Sequence, residues 1–197
     1  MKLRFLTLSL IALFATSAFA QDEEPKAQPS KPTPDIANGK YGPLERNVLD
    51  LWKPKVKKPT PLVVYIHGGG FVNGSKEKLS ANLLKRFLDS GIAVMAINYS
   101  LLSTHVYPQA YIDCARAIQF ARYNAKEWNL DKTKVSAIGS SAGALTSLWI
   151  GFHDDLADPK SSDPVLREST RLSSVAVWSA QTTLEPDIVK ARVGVAT

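Results

Sequence analysis

Gly139-Ser140-Ser141-Ala142-Gly143 is the stretch on which the fold turns. The apolar residues Val135 to Ile138 precede it and read as a short buried strand; Ala144 to Phe152 follow it and read as a helix. A Gly-x-Ser-x-Gly between a strand and a helix is a nucleophile elbow. The turn is so tight that the neighbours of its central serine must lack bulk, which accounts for Gly139 and Gly143. It lifts the Ser141 hydroxyl to the carboxyl edge of a sheet, at the positive end of the following helix. Alone the motif is only moderately specific, since chance supplies one in roughly fifteen chains of this length at average usage.

The second deciding stretch is His67-Gly68-Gly69-Gly70-Phe71, directly after the apolar run Leu62 to Ile66. A histidine followed by three glycines arises by chance in about one chain in a thousand. Three successive glycines leave the backbone free to turn its N–H groups into one concavity, because no side chain blocks the approach. Acyl transfer needs such donors where negative charge develops. A merely flexible glycine turn leaves both the preceding strand and Ser141 unexplained.

On these two motifs the chain resembles an α/β-hydrolase of the esterase and lipase branch, the hormone-sensitive-lipase-like and feruloyl-esterase-like carboxylesterases. The resemblance covers about residues 40–185. It implies a three-layer α/β fold with a mostly parallel central sheet, a carboxylic ester as small-molecule substrate, and no metal or cofactor. It also implies Ser141 as nucleophile and the backbone N–H groups of Gly69, Gly70 and Ala142 as oxyanion donors. That family places an acid and then a histidine after the serine, beyond the last two strands.

Met1 to Ala20 carries Lys2 and Arg4, an apolar run from Phe5 to Phe14, and Ala18-Phe19-Ala20. This is the pattern of a secretory signal, cleaved after Ala20 to leave Gln21 as the first residue of a secreted or periplasmic protein. The run is too short for a membrane anchor, so no stable membrane insertion is expected once it is removed. Cleavage removes two positive charges and no acid, taking the formal charge from +6 to +4. Lys53, Lys55, Lys57 and Lys58 supply much of that charge from one Pro-bounded loop, read as a solvated hairpin tip. No aromatic residues interleave with them, so nucleic acid is not an expected partner. Cys114 is the single cysteine, which excludes an intrachain disulfide and fits a small buried apolar residue.

Residues 21–39 contain Pro25, Pro29, Pro32 and Pro34 among polar residues and read as an extended linker, with one domain spanning 40–197. Arg46 to Leu51 reads as an early strand and Leu62 to Ile66 as a buried one. Leu79, Leu83, Leu84, Phe87 and Leu88 recur at helical spacing and end before Gly91. Ile92 to Ile97 is a continuous apolar strand. Pro108 opens a helix with Tyr107, Tyr111, Cys114, Ile118 and Ala121 on one face, and Val175 to Trp178 reads as another strand. Strands alternating with helices imply right-handed crossovers, which bring His67 and Ser141 to the same edge.

A serine hydroxyl needs a base within about 3 Å, itself oriented by an acid. His67 opens the glycine loop and is expected to hold its shape. His153 lies twelve residues past Ser141, roughly 18 Å along a continuous helix. His105 falls at the correct edge but reverses the order of serine, acid and histidine, and reads as a surface loop residue. Nineteen residues follow Trp178 and none is a histidine, while Glu185 and Asp187 come too soon after it to follow a further strand. The expectation is therefore an N-terminal portion of such an esterase, lacking the C-terminal strands with the acid and histidine, and inactive by itself. The alternatives are a catalytically dead binding protein on the same fold, or a serine peptidase or acyltransferase using the same turn.

Overall fold

The computed structural model describes residues 30–183 together with Glu185 and Asp187. Residues 1–20, read above as an export signal, and residues 21–29 lie outside the described residues. The elements, in chain order, are β1 (Ile36–Lys40), β2 (Val48–Trp52), β3 (Thr60–Ile66), α1 (Ala81–Asp89), β4 (Ala93–Ile97), α2 (Gln109–Tyr123), α3 (Ala125–Trp128), β5 (Leu130–Ser140), α4 (Ala142–Phe152) and β6 (Ser174–Trp178). They build one six-stranded sheet in the order β1-β2-β4-β3-β5-β6. β4, β3, β5 and β6 run parallel; β2 and β1 join antiparallel at one side.

The apolar runs give a sheet buried on two faces. On β3, Leu62, Val64 and Ile66 pack with Met95 and Ile97 against α2 and α4, through Tyr111, Cys114, Ile118 and Ile150. The intervening Val63 and Tyr65 pack with Val94 and Ile138 against Leu84 of α1 and Leu79 just before it. Every residue of β4 is buried, as its unbroken apolar sequence requires. α1 stops where expected. Gly91, at φ +75°, lets its N–H reach the Leu88 carbonyl while Ile92 N–H reaches Phe87, so the orphan carbonyls of the last turn are used.

Three expectations change. The sheet starts at Ile36, inside the stretch read as linker. Ile36 pairs with Leu51 and Lys40 with Val48, and Asn38 N–H donates to the Asp50 carboxylate (2.8 Å). The lysine-rich segment is no hairpin tip either, because β4 lies between β2 and β3 and the segment is a crossover. Tyr107 leaves the buried face assigned to it. α2 begins only at Gln109, so Tyr107 sits in the preceding loop, 63% exposed.

Residues 153–173 form an irregular excursion between α4 and β6, tied down by two buried or half-buried groups. The Arg122 guanidinium, from α2, donates to the carbonyls of Lys132 (3.0 Å), Ser169 and Arg171. The Asp155 carboxylate accepts from Ser169 Oγ (2.6 Å) and Thr170 N–H (2.8 Å), which holds it below the usual carboxylate range even though partial burial pushes it up. These contacts let the chain return to β5 in parallel register, with Ser140 opposite Trp178.

Candidate active site

β5 delivers Ser140 and α4 begins at Ala142, so Ser141 is the single residue of the turn. It takes φ 50°, ψ −121°, a conformation that side chains other than glycine's rarely adopt. The turn closes on itself. A Cβ placed on Gly143 would lie 2.0 Å from the Ile66 carbonyl oxygen, and one on Gly139 would lie 2.6 Å from the Gly143 backbone. Both glycines are therefore required by close backbone approach, as the motif predicts. Ser141 N–H donates to the Trp178 carbonyl (3.4 Å) and its own carbonyl accepts from Leu145 N–H (3.0 Å), which anchors both ends of the strained residue. In α4, Thr146 and Ser147 are fully buried and return their hydroxyls to the carbonyls of Ala142 and Gly143 (2.9 and 2.7 Å).

The His67 loop leaves the carboxyl end of β3, the strand beside β5, and runs directly against this turn. A Cβ on Gly68 would sit 2.8 Å from the Ser140 carbonyl oxygen and 3.4 Å from Ser141 Cβ, so only a glycine passes there. Gly69, Gly70 and Phe71 all have positive φ (134°, 61° and 61°), and the Gly69 carbonyl accepts from Val72 and Asn73 N–H (both 3.1 Å). Among the described residues, the N–H groups of Gly69 and Gly70 donate to nothing. Ala142 N–H opens α4 without a side-chain cap. Gly69 and Gly70 thus carry unpaired N–H groups among the described residues, in the loop whose Gly68 runs against the serine turn, and Ala142 N–H lies at the positive end of a helix.

His67 is fully buried, stacked on Tyr99 (ring centroids 4.2 Å, 14° between planes), and its Nδ1 lies 2.9 Å from the Gly68 carbonyl. A carbonyl only accepts, so Nδ1 carries the proton and Nε2 is left without a partner. Burial lowers its pKa to about 4, which keeps the ring neutral. This is the shape-holding role expected of it. His105, in the loop between β4 and α2, lies 3.0 Å from Thr104 Oγ1 through Nδ1. His153, just past the end of α4, packs against Trp149 with its ring tilted (centroids 4.1 Å, 31° between planes). None of the three rings hydrogen-bonds Ser141 among the described residues.

Residues that no motif marked hold the loop from behind. Arg46 donates through Nε to the Tyr99 carbonyl (2.7 Å) and through Nη2 to the Gly74 carbonyl (2.8 Å), gripping the partner of His67 and the end of the loop together. Tyr99 OH donates to the His67 carbonyl (2.7 Å). Lys76 N–H donates to Asn98 Oδ1 (2.7 Å), while its buried ammonium pairs with Asp50 (2.8 Å). Their partners are mostly main-chain carbonyls, which every residue has, so the sequence carries no signal of the pairing.

Two larger clefts lie away from this site. One of about 340 Å³ opens at the lysine crossover beside Trp128, and one of about 500 Å³ runs along α2; neither touches the His67–Phe71 loop or the 139–143 turn. Among the described residues, no three His, Cys, Asp or Glu side chains gather as a metal site, and no helix is long and apolar enough to cross a membrane.

The model of the BD-FAE family, an α/β-hydrolase esterase family, matches residues 49–184, well over half of the chain. The chain belongs to the BD-FAE family. This family segment contains both glycine motifs and four of the six strands in full. Esterase LipC of Mycobacterium tuberculosis is 30% identical over 114 residues, covering 57% of this chain and 28% of that protein. The arylesterase of Saccharolobus solfataricus is 35% identical over 106 residues, 51% of this chain and 34% of that one. The chain spans about a third of the length of such curated relatives. Among solved structures, the acetyl ester-xyloside bifunctional hydrolase of Caldicellulosiruptor lactoaceticus is similar at TM-score 0.60 and 29% identity, over 66% of this chain and 47% of that one. Thermogutta terrifontis esterase 2 shares the fold at TM-score 0.67 and 23% identity, over 85% of this chain and 64% of that one.

Proposed function

We propose that this BD-FAE chain carries the nucleophile and the oxyanion donors of a serine carboxylic ester hydrolase. The observation that carries the reading is the contact between the two turns: Gly68 passes against Ser140 and Ser141, and the next two residues, Gly69 and Gly70, carry N–H groups unpaired among the described residues. In this reading Ser141 Oγ attacks the ester carbonyl and its proton passes to an imidazole base. The carbonyl oxygen becomes an oxyanion held by Gly69, Gly70 and Ala142, each donor worth roughly 3 kcal/mol in the transition state. The tetrahedral adduct collapses, the alcohol departs with a proton, and an acyl group remains on Ser141 until water removes it. The esterase relatives support ester chemistry at such a site.

A second reading, a binding protein on the same fold, is favoured by one observation: among the described residues, no imidazole bonds Ser141. The two separate by trapping the acyl group. After incubation with p-nitrophenyl acetate, peptide mass spectrometry is expected to find acetylated Ser141, accumulating faster when free imidazole supplies the base. Ser140→Ala keeps the adduct and Ser141→Ala loses it. An unmodified Ser141 with imidazole present leaves the binding reading. Export belongs to the same proposal. N-terminal sequencing of the exported product begins at Gln21, and a Met1 terminus overturns it.

A further inference from the structure

The chain contains two Asn-Gly pairs, Asn38-Gly39 and Asn73-Gly74, and the fold treats them differently. Asparagine before glycine carries a latent reaction. The glycine nitrogen can attack the asparagine side-chain carbonyl carbon, because the glycine has no Cβ to block the approach. Asn38 and Gly39 lie in β1, where Asn38 N–H donates to the Asp50 carboxylate (2.8 Å) and Gly39 is paired opposite Leu49. That pair is held in a sheet ladder. Asn73-Gly74 instead closes the glycine loop.

Three observations mark the second pair. Asn73 is exposed, and the side-chain bonds of this loop run through Arg46, His67 and Asn98, none of them using the Asn73 amide among the described residues. Gly74 N–H donates to nothing among the described residues, so its nitrogen is not engaged elsewhere. Finally, Asn73 N–H donates to the Gly69 carbonyl (3.1 Å), and a Cβ placed on Gly69 would lie 2.6 Å from Asn73 Oδ1. The reactive amide therefore rests against a residue whose own N–H is assigned to the oxyanion.

We propose that Asn73 is a self-modification site that limits the working life of Ser141. The Gly74 nitrogen gives its proton to solvent and bonds to Cγ of Asn73. The Cγ–Nδ2 bond breaks, ammonia leaves, and a five-membered succinimide remains. Water then opens the ring at either carbonyl, giving aspartate or isoaspartate, with no oxidant or cofactor required. Both products place a carboxylate where a neutral amide lay against Gly69, and isoaspartate also lengthens the loop backbone. A negative charge there opposes the negative charge that the oxyanion donors must stabilise. The ring closure stands on the loop alone; its consequence rests on the esterase reading.

The test ages the full chain and reads the two parts separately. Protein is kept at mildly alkaline pH, and peptide mass spectrometry follows amide-to-acid conversion at Asn73 and Asn38. Conversion at Asn73 should be at least about tenfold faster, because the ladder around Gly39 must first open. Asn73→Gln should stop it, since its ring would need six members. Fluorophosphonate labelling of Ser141, with imidazole present, reads the consequence. Aged protein and fresh Asn73→Asp should label about tenfold more slowly than fresh unaltered protein, while aged Asn73→Gln keeps its rate. Equal unfolding midpoints for Asn73→Asp and unaltered protein assign the loss to charge; should Asn73→Asp fail to fold, aged protein carries the same readout. Asn73 surviving as long as Asn38 overturns the site. Undiminished labelling of both aged protein and Asn73→Asp overturns its consequence. Ser141 unlabelled even in fresh unaltered protein overturns the esterase reading alone, and the conversion rates still decide the site.

Discussion

The two turns that meet at the carboxyl edge share tight backbone contacts but differ in what else holds them. Around Ser141 the constraint is backbone against backbone. Gly143 has no room for a methyl group beside the Ile66 carbonyl, and the chain enters a strained φ within a single residue. Around Gly70 there is room: a Cβ there would meet only Val72, at 3.8 Å. That loop instead hangs from side chains far away in sequence, with Arg46 and Tyr99 binding its ends. The serine turn is therefore intolerant locally, whereas the glycine loop combines local clashes at Gly68, Gly69 and Gly74 with room at Gly70, and is in addition exposed to damage from a distance.

Substitutions that cross the two mechanisms can break this contrast. The largest effect is expected at Gly143→Ala, where the new methyl must displace main chain; a loss of about 3 kcal/mol or more in urea unfolding is expected, and under 1 kcal/mol would refute the clash. Next comes Arg46→Met, which strips two carbonyls of a charged donor. It should cost about 2 kcal/mol and speed hydrogen exchange in residues 68–74, while leaving the amides of α4 protected. If α4 loosens equally, the loop has no separate tether.

His67 adds a pH dependence of similar size. Its folded pKa, about 4, lies below the unfolded value, so only the unfolded chain takes up a proton between those two values. Stability is full above about pH 6.5, falls by about 1.4 kcal/mol per unit as pH drops toward 4, and levels off below that. Unfolding midpoints at pH 7 and pH 5 should therefore differ by about 2 kcal/mol for this group, a difference that His67→Gln removes. The smallest effect belongs to Gly70→Ala, about 1 kcal/mol from the left-handed φ alone. A cost as large as that of Gly143→Ala would erase the distinction between the turns.

The same contrast explains what could be read from the sequence. The strands near 62–66, 92–97 and 135–138 announced themselves as apolar runs, because a sheet covered on both faces needs them, and the run at 175–178 marked β6 although that strand is partly exposed. Gly139 and Gly143 were legible because a steric demand within five residues leaves a local mark. Arg46 and Tyr99 were not, since their bonds end on carbonyls that any sequence would offer. β1 escaped notice because only part of Ile-Ala-Asn-Gly-Lys packs, and its pairing rests on backbone bonds and the Asp50 carboxylate. The lysine crossover was misread as a hairpin because neighbours in sequence were taken as neighbours in the sheet, and β4 separates them. Tyr107 kept the helical period on paper, but the helix starts two residues later.

The central claim is that a strained Ser141 and a remotely tethered glycine loop form one reacting site. Fluorophosphonate labelling in the presence of imidazole, followed by peptide mass mapping, tests both parts at once. The account predicts one adduct per chain, on Ser141, formed at least about tenfold more slowly in Arg46→Met because a loosened loop no longer aims its donors. An adduct on Ser140 or elsewhere, or the same rate in Arg46→Met as in the unaltered protein, would contradict it.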